Sequence, residues 1–262
     1  MALHFARTGY AFSRGSANDL PDGDWALGGW VRIVDGHGTA APQILEQDTS
    51  TLARFSLVYY EDQYAEESYR QRFTVSVRDA LGQESRIDSA GTYAANDGWQ
   101  HVLVERSGGM IRLYVDGQAD AVAAPAGGAV VIDGDNVFGR LGVVDEAEWA
   151  KWDRAIGLGE IAALAKGYSP RFLTEERKWH LPMVRHAQEL DGPLVTGLVD
   201  AQAAPHPPLW QPTGLRIARS GTGPPGASRP YRAVVGLVWH TGAGAGALDV
   251  AGQRAGQVQS GG

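Results

Sequence analysis

The sequence predicts an all-β fold: a two-sheet antiparallel sandwich with a short closing helix and an extended Gly/Pro-rich C-terminal arm, in 262 residues. Three observations predict it. Period-2 alternation recurs in segments of strand length. Glycine, of which there are 35, joins Asn, Asp and Pro to separate those segments, and the first convincing helical stripe comes late. Short strands divided by turn signals favour a sandwich over a βαβ arrangement.

The first strands are expected at LHFA (3–6), WALGGWVRI (25–33) and ARFSLVYY (53–60). FTVSV follows, with Phe73, Val75 and Val77 on one face and Thr74 and Ser76 on the other. Asn96-Asp97-Gly98 reads as a turn into a strand with Val102 and Val104 inward, and Ser107-Gly108-Gly109 turns into the next. There Ile111, Leu113 and Val115 point one way and Arg112 and Tyr114 the other, before Asp116-Gly117 supplies the φ > 0 pair of a type I′ hairpin. AVVID (129–133) and the stretch around Trp149 and Trp152 are the last strands expected.

The helix is LGEIAALAKGYSP, with Leu158, Ile161, Leu164 and Ala165 as its apolar stripe, Gly167 as C′ and Pro170 forbidding continuation. A second short helix is expected at Thr174 to Lys178, with Thr174 as N-cap. From Pro205 the chain turns to PHPPLWQP, GTGPPGASRP and a Gly/Ala-rich end, too poor in apolar surface to fold alone. One strand-length apolar run interrupts it. Its residues Tyr231, Val234, Val235, Leu237, Val238 and Trp239 are expected to pair with an edge, making this arm an assembly element.

Hydrophobic residues form 44% and charged residues 20% of the chain, which suits a globular protein and excludes a disordered one. A net charge of -7 without a basic block argues against nucleic acid as partner. Without cysteine, disulfides, thiolate metal sites and thiol nucleophiles are excluded. MALHFARTGYAF lacks a signal-peptide pattern, and no apolar run reaches bilayer length, so synthesis in the cytoplasm without membrane insertion is expected.

DGWQHVLVERSGGMIRLYVDGQ resembles the signature of LamG-like jelly-roll domains of the concanavalin A-like lectin/glucanase superfamily, through Trp99, His101, Val102, Leu113, Tyr114, Val115, Asp116 and Gly117. EWAKWDRAIGLGEIAALAKGYSP resembles the family's closing strand and helix, through Glu148, Trp152, Arg154, Ala155, Ile156, Glu160 and Ile161, with Trp30 at its core tryptophan position. The resemblance covers about residues 1–170. It implies a concanavalin A-like sandwich there, followed by an extension over 171–204, packed on or beside the sandwich, and the arm over 205–262.

Many such domains bind calcium through an acidic residue near the first strand and an Asp-Glu pair in the closing strand. Here Phe5-Ala6-Arg7-Thr8-Gly9 carries no carboxylate, and Ala147 stands where the Asp before Glu148 would be. No metal and no cofactor are therefore expected. KWHLPMVRHAQELDGPLVTGLVDAQAAPHPPLW (178–210) resembles the extension that follows such domains in structural proteins of tailed bacteriophages and prophage regions. That implies a virion surface protein, a capsid decoration or a tail- or fibre-associated component, with other virion proteins and itself as partners in a homo-oligomer.

No catalytic residue is expected. Glycosidases on such sandwiches set acid and nucleophile about 5 Å apart by alternating carboxylates on one strand, a Glu-x-Asp-x-x-Glu run that does not occur in this sequence. Asp145, Glu146 and Glu148, and Glu61, Asp62, Glu66 and Glu67, read as solvated loop charges. The histidines form no HExxH or HxH pair, and His101 reads as structural. The contact candidates are Tyr59, Tyr60, Tyr64, Tyr69, Arg70 and Arg72, in an aromatic-polar stretch that suits cell-surface glycans or a protein surface. A free carbohydrate-binding module is the alternative, and a glycoside hydrolase the remote one.

Overall fold

Alternation decides which side chains meet the core. In the computed structural model, which describes residues 2–35, 43–48, 53–60, 71–95, 97–121, 124–125, 131–183 and 195–209, Phe73, Val75 and Val77 are buried together with Phe55, Leu57 and Tyr59 of the neighbouring strand. The strands in chain order are β1 (Ala2–Arg14), β2 (Trp25–Asp35), β3 (Gln43–Asp48), β4 (Arg54–Tyr60), β5 (Arg72–Arg78), β6 (Glu84–Asp88), β7 (Gln100–Ser107) and β8 (Met110–Val115). Then come β9 (Gln118–Ala119), β10 (Ala124–Pro125), β11 (Asp135–Arg140), β12 (Val143–Trp152), the helix α1 (Leu158–Ala165), β13 (Arg177–Leu181) and β14 (Val195–Ala204).

Among the described residues every strand pairing is antiparallel, and one hydrogen-bonded path runs β10-β8-β7-β2-β12-β1-β11-β3-β4-β5-β6. β1 folds that path into two layers. Its Leu3–Phe5 lies beside β12 in the back sheet, whereas its Ala11–Ser13 lies beside β11 in the front sheet. β14 follows β1 along both halves, and β13 pairs with β12. Between the layers lies one apolar core, to which the back sheet gives Leu27, Val31, Val102, Val104 and Leu113, and the front sheet Leu45, Phe55, Leu57, Phe73, Val75 and Phe138. Each such side chain contributes about 1.5–3 kcal/mol by its burial.

Two expected turns take the required backbone. Asp116 and Gly117 adopt φ 49 and 80, and the Asp116 carboxylate accepts the His101 N–H at 2.8 Å. Gly108 and Gly109 turn β7 into β8 with φ 57 and 76. α1 packs Ile161 and Leu164 on the outer face of the back sheet, against Ala26, Leu103, Tyr114 and Trp152. Its start is fixed by Glu160, whose carboxylate accepts the Gly157 N–H at 2.8 Å and two Arg154 N–H donors at 2.9 and 2.7 Å.

Four local expectations need correction. Of AVVID, Ala129 and Val130 lie outside the described residues, Ile132 makes an isolated bridge to Leu20, and the strand that follows begins at Asp135. Thr174–Lys178 is not helical: Glu176 takes φ 52 in a turn, which frees Arg177–Leu181 to pair with β12. Leu158 stands 69% exposed at the first helical position, off the packed stripe. Trp30 is buried, but on the outer side of the back sheet with Ala2, Ala147 and Ala204 rather than in the main core.

Candidate functional site

The face of β4, β5 and β6 turned away from the core is built by the polar half of the alternation. Register places Arg54 opposite Arg78, Ser56 opposite Ser76, Val58 opposite Thr74 and Tyr60 opposite Arg72. β6 adds Glu84 opposite Arg78, Arg86 opposite Ser76 and Asp88 opposite Thr74. Nine of these side chains, all but Arg72 and Asp88, line an open cleft of about 180 Å³. Its floor is hydroxyl-rich and its walls carry guanidinium groups.

Carboxylates hold the guanidiniums in place. Arg78 meets Glu84 at 3.1 Å and Arg86 meets Asp88 at 3.0 Å, while Arg54 pairs with buried Glu46, which Arg140 also approaches at 3.5 Å. Ser76 and Arg78 donate to Glu84 and hold its carboxyl below the usual range. Arg86 lies 5.4 Å over the Tyr60 ring. With side chains 46%, 39% and 36% exposed, Arg54, Arg78 and Arg86 still present N–H donors to solvent. The cleft can hydrogen-bond hydroxyls and pair with anions.

The carboxylates of β12 are a second constellation, and here the expectation of solvated loop charges is overturned. Asp145, Glu146 and Glu148 are all buried, because β12 is an inner strand covered on both faces. Asp145 accepts from Arg32 Nε at 2.7 Å and contacts His4 Nδ1 at 2.7 Å. Glu146 points between the sheets. Burial pushes its carboxyl well above the usual range, more than the neighbouring Trp149 side chain and Gly139 backbone offset.

Glu148 sits at a β-bulge, where Glu148 and Trp149 of β12 face only Gly29 of β2. Gly29 is required there, since a Cβ would lie 2.5 Å from the Trp149 ring. The bulge gives Glu148 φ 54, and three later segments converge on its carboxylate. His180 of β13 contacts it at 2.8 Å, Ser169 after α1 donates at 2.8 Å, and His206 beyond β14 approaches to 3.5 Å. Burial raises its carboxyl, but the bonds from His180, His206 and Ser169 outweigh that and leave it at about 2. This cluster ties Ser169, β13 through His180, and His206 to β12 of the sandwich.

Of the contact candidates, Tyr60 borders the cleft and Arg72 lies beside it, donating to the Ser89 carbonyl. Tyr59 is corrected to the core: it is 1% exposed, packs edge-on to Phe73, and donates its hydroxyl to the Tyr93 carbonyl at 2.6 Å. Adjacent residues of a strand face opposite ways, so Tyr59 and Tyr60 cannot share a surface. Tyr64, Tyr69 and Arg70 lie outside the described residues, as do Glu61, Asp62, Glu66 and Glu67, and Tyr231, Val234, Val235, Leu237, Val238 and Trp239. His101 is fully buried against Trp30, and burial lowers it to about 3, so it is a neutral framework residue.

Arg54, Ser56, Ser76, Arg78, Glu84 and Arg86 were not singled out by sequence. The signal that could have found them is the polar phase of the same alternation that marks the core.

A family model described as the concanavalin A-like lectin/glucanases superfamily matches residues 6–156, more than half of the chain. Among solved structures, the fold is similar to that of the native heptameric SAP-like pentraxin from Limulus polyphemus, at 12% identity over 76% of this chain and 95% of that one, with a TM-score of 0.48. It is similar also to the receptor binding domain of the botulinum neurotoxin C/D mosaic serotype, at 12% identity over 55% of this chain and 36% of that one, with a TM-score of 0.46. The botulinum neurotoxin type G receptor binding domain gives 11% identity, 55% and 38% coverage and a TM-score of 0.44. The chain thus spans little more than a third of the toxin domains' length, and at such identities the likeness concerns the fold alone. No curated protein matches the sequence.

Proposed function

Because the chain belongs to the concanavalin A-like lectin/glucanases superfamily, we propose that it is a non-enzymatic recognition module of a bacteriophage virion, displaying its front sheet to surface glycans. The observation that carries this reading is the open cleft over β4, β5 and β6, where Tyr60 and arginines surround a floor of serine and threonine hydroxyls. Sugar rings offer apolar CH faces and hydroxyl rims, and that combination of an aromatic ring with charged donors and hydroxyls matches both. The cleft is shallow and open, as suits a ligand displayed on a larger surface.

Binding without catalysis is supported by the state of the nearby carboxylates. Glu46, Glu84 and Asp88 are each held by an arginine, and Glu84 is held below the usual range, whereas a general acid needs a raised pKa. The virion setting is supported by the resemblance of residues 178–210 to phage structural proteins and by the Gly/Pro-rich arm, which suits fastening to capsid or tail neighbours and to further copies of the chain.

A glycan array tests recognition: binding should fall at least about tenfold in Tyr60→Ala, the loss expected when a stacking platform and its hydrogen bonds go. An empty array would remove the recognition half. Immunodetection on purified particles tests the other half, and a protein recovered only as a free monomer would remove it.

A further inference from the structure

We infer that the cleft takes an anionic group, a sulfate, phosphate monoester or carboxylate carried on a sugar, gripped by the Arg78 and Arg86 guanidiniums with Arg54 at the far wall. This rests on the recognition reading of the same cleft and names the chemistry of its ligand.

The first ground is the placing of like charges side by side. Arg54 and Arg78 stand directly opposite each other on adjacent strands, and like charges at such positions destabilise a sheet. One residue further along the face the register sets Arg86 of β6 across from Ser76. Three guanidiniums thus border one hydroxyl floor. Glu46 and Glu84 offset part of the repulsion between Arg54 and Arg78, and an anion between the guanidiniums would relieve the rest.

The second ground is charge contrast. The chain carries a net charge of -7, yet three arginines line the cleft beside one carboxylate, Glu84, while Glu46 and Asp88, the partners of Arg54 and Arg86, lie outside the lining. A lining richer in guanidinium than in carboxylate favours an anion there in an otherwise acidic protein. The third is geometry of exchange. Arg78 and Arg86 hold their own carboxylates at 3.1 and 3.0 Å from half-exposed positions, where such pairs are worth little. A ligand offering a bidentate acceptor can share or replace them, and the planar guanidinium fork matches sulfate, phosphate and carboxylate alike. Arg54 is less free to exchange, because it neutralises Glu46, which is 1% exposed.

The test compares polymers that differ only in their anionic groups: dextran, dextran sulfate, carboxymethyl dextran and dextran phosphate, titrated against the full chain by calorimetry. Expected is binding to one or more anionic polymers and not to dextran, weakening steeply with salt. Arg78→Gln/Arg86→Gln should weaken it at least about tenfold, while Arg171→Gln, an exposed arginine outside the cleft, should not. Arg86→Lys should fall between. Melting curves confirm that the variants fold, and Arg54 is left intact so that Glu46 keeps its partner.

Equal binding of dextran and dextran sulfate, sensitive to the cleft arginines, would overturn the anion preference and leave the recognition reading standing. Anionic binding indifferent to Arg78 and Arg86 would overturn the site. No binding to any dextran alongside cleft-dependent binding of neutral glycans would overturn this inference alone. Silence on both dextrans and array would overturn both readings.

Discussion

Two clusters of carboxylates and cations in this molecule use similar side chains to opposite ends. Around Glu148, a buried carboxylate gathers His180, Ser169 and His206 from three chain segments and is held at about 2. Around Arg78 and Arg86, half-exposed ion pairs cover a cleft that opens to solvent. The difference is burial. A buried charge must keep every partner or the fold suffers, so Glu148 is a fastening. Exposed pairs cost little to rearrange, so the cleft can afford a ligand.

The largest expected effect breaks the fastening. Glu148→Ala leaves two histidines facing an empty site and should destabilise the protein by about 3–5 kcal/mol, measured by chemical denaturation. If the loss is below about 1 kcal/mol, the clamp is not structural.

Acid should loosen the buried region while the cleft pairs contribute little. His101 is lowered from 6.5 to about 3 by burial, so the unfolded chain takes up its proton first. Its contribution is complete above pH 6.5 and is lost as pH falls toward 3. Glu148, lowered from 4.5 to about 2, adds a second loss between those values. Between pH 7 and pH 4 these two groups together should remove about 3–4 kcal/mol, part of which Glu146 offsets, and His101→Asn should flatten the upper part of the profile.

Glu146 carries the opposite sign. Its folded pKa is raised, so it costs stability as pH climbs from 4.5 through the folded value. Glu146→Gln should match the native protein near pH 4 and exceed it by about 1–3 kcal/mol at pH 8, read from paired melting curves. The smallest effect belongs to the cleft: Arg78→Gln/Arg86→Gln should shift stability by less than about 1 kcal/mol. A larger loss would place these arginines with the fastening rather than the ligand.

Much of the fold was legible because strands report their burial locally. Phe73, Val75 and Val77, or Ile111, Leu113 and Val115, declare one face by alternation, and Asp116-Gly117 declares its own turn through φ. The missed strands had weaker local signals. Gln43–Asp48 and Asp135–Arg140 bury Gln47 and Asn136 beside their apolar residues, which blurs the period. Arg177–Leu181 follows a Thr-Glu-Glu stretch that looks like a helix start, and only pairing with β12 makes it a strand. Of the site, Tyr60 and Arg72 are legible as an aromatic-polar stretch, while Tyr59 in the same stretch faces the core because adjacent strand residues point opposite ways.

By itself, then, the sequence determined the all-β class, the two tight turns, the closing helix and the sandwich family, since each follows from periodicity, turn chemistry or a contiguous motif. Tertiary structure alone decided that Asp145, Glu146 and Glu148 are buried, that His206 returns to Glu148, and that Arg54, Arg78 and Arg86 share one cleft. Burial and cross-strand register bring together residues far apart in the chain, and no local pattern encodes either.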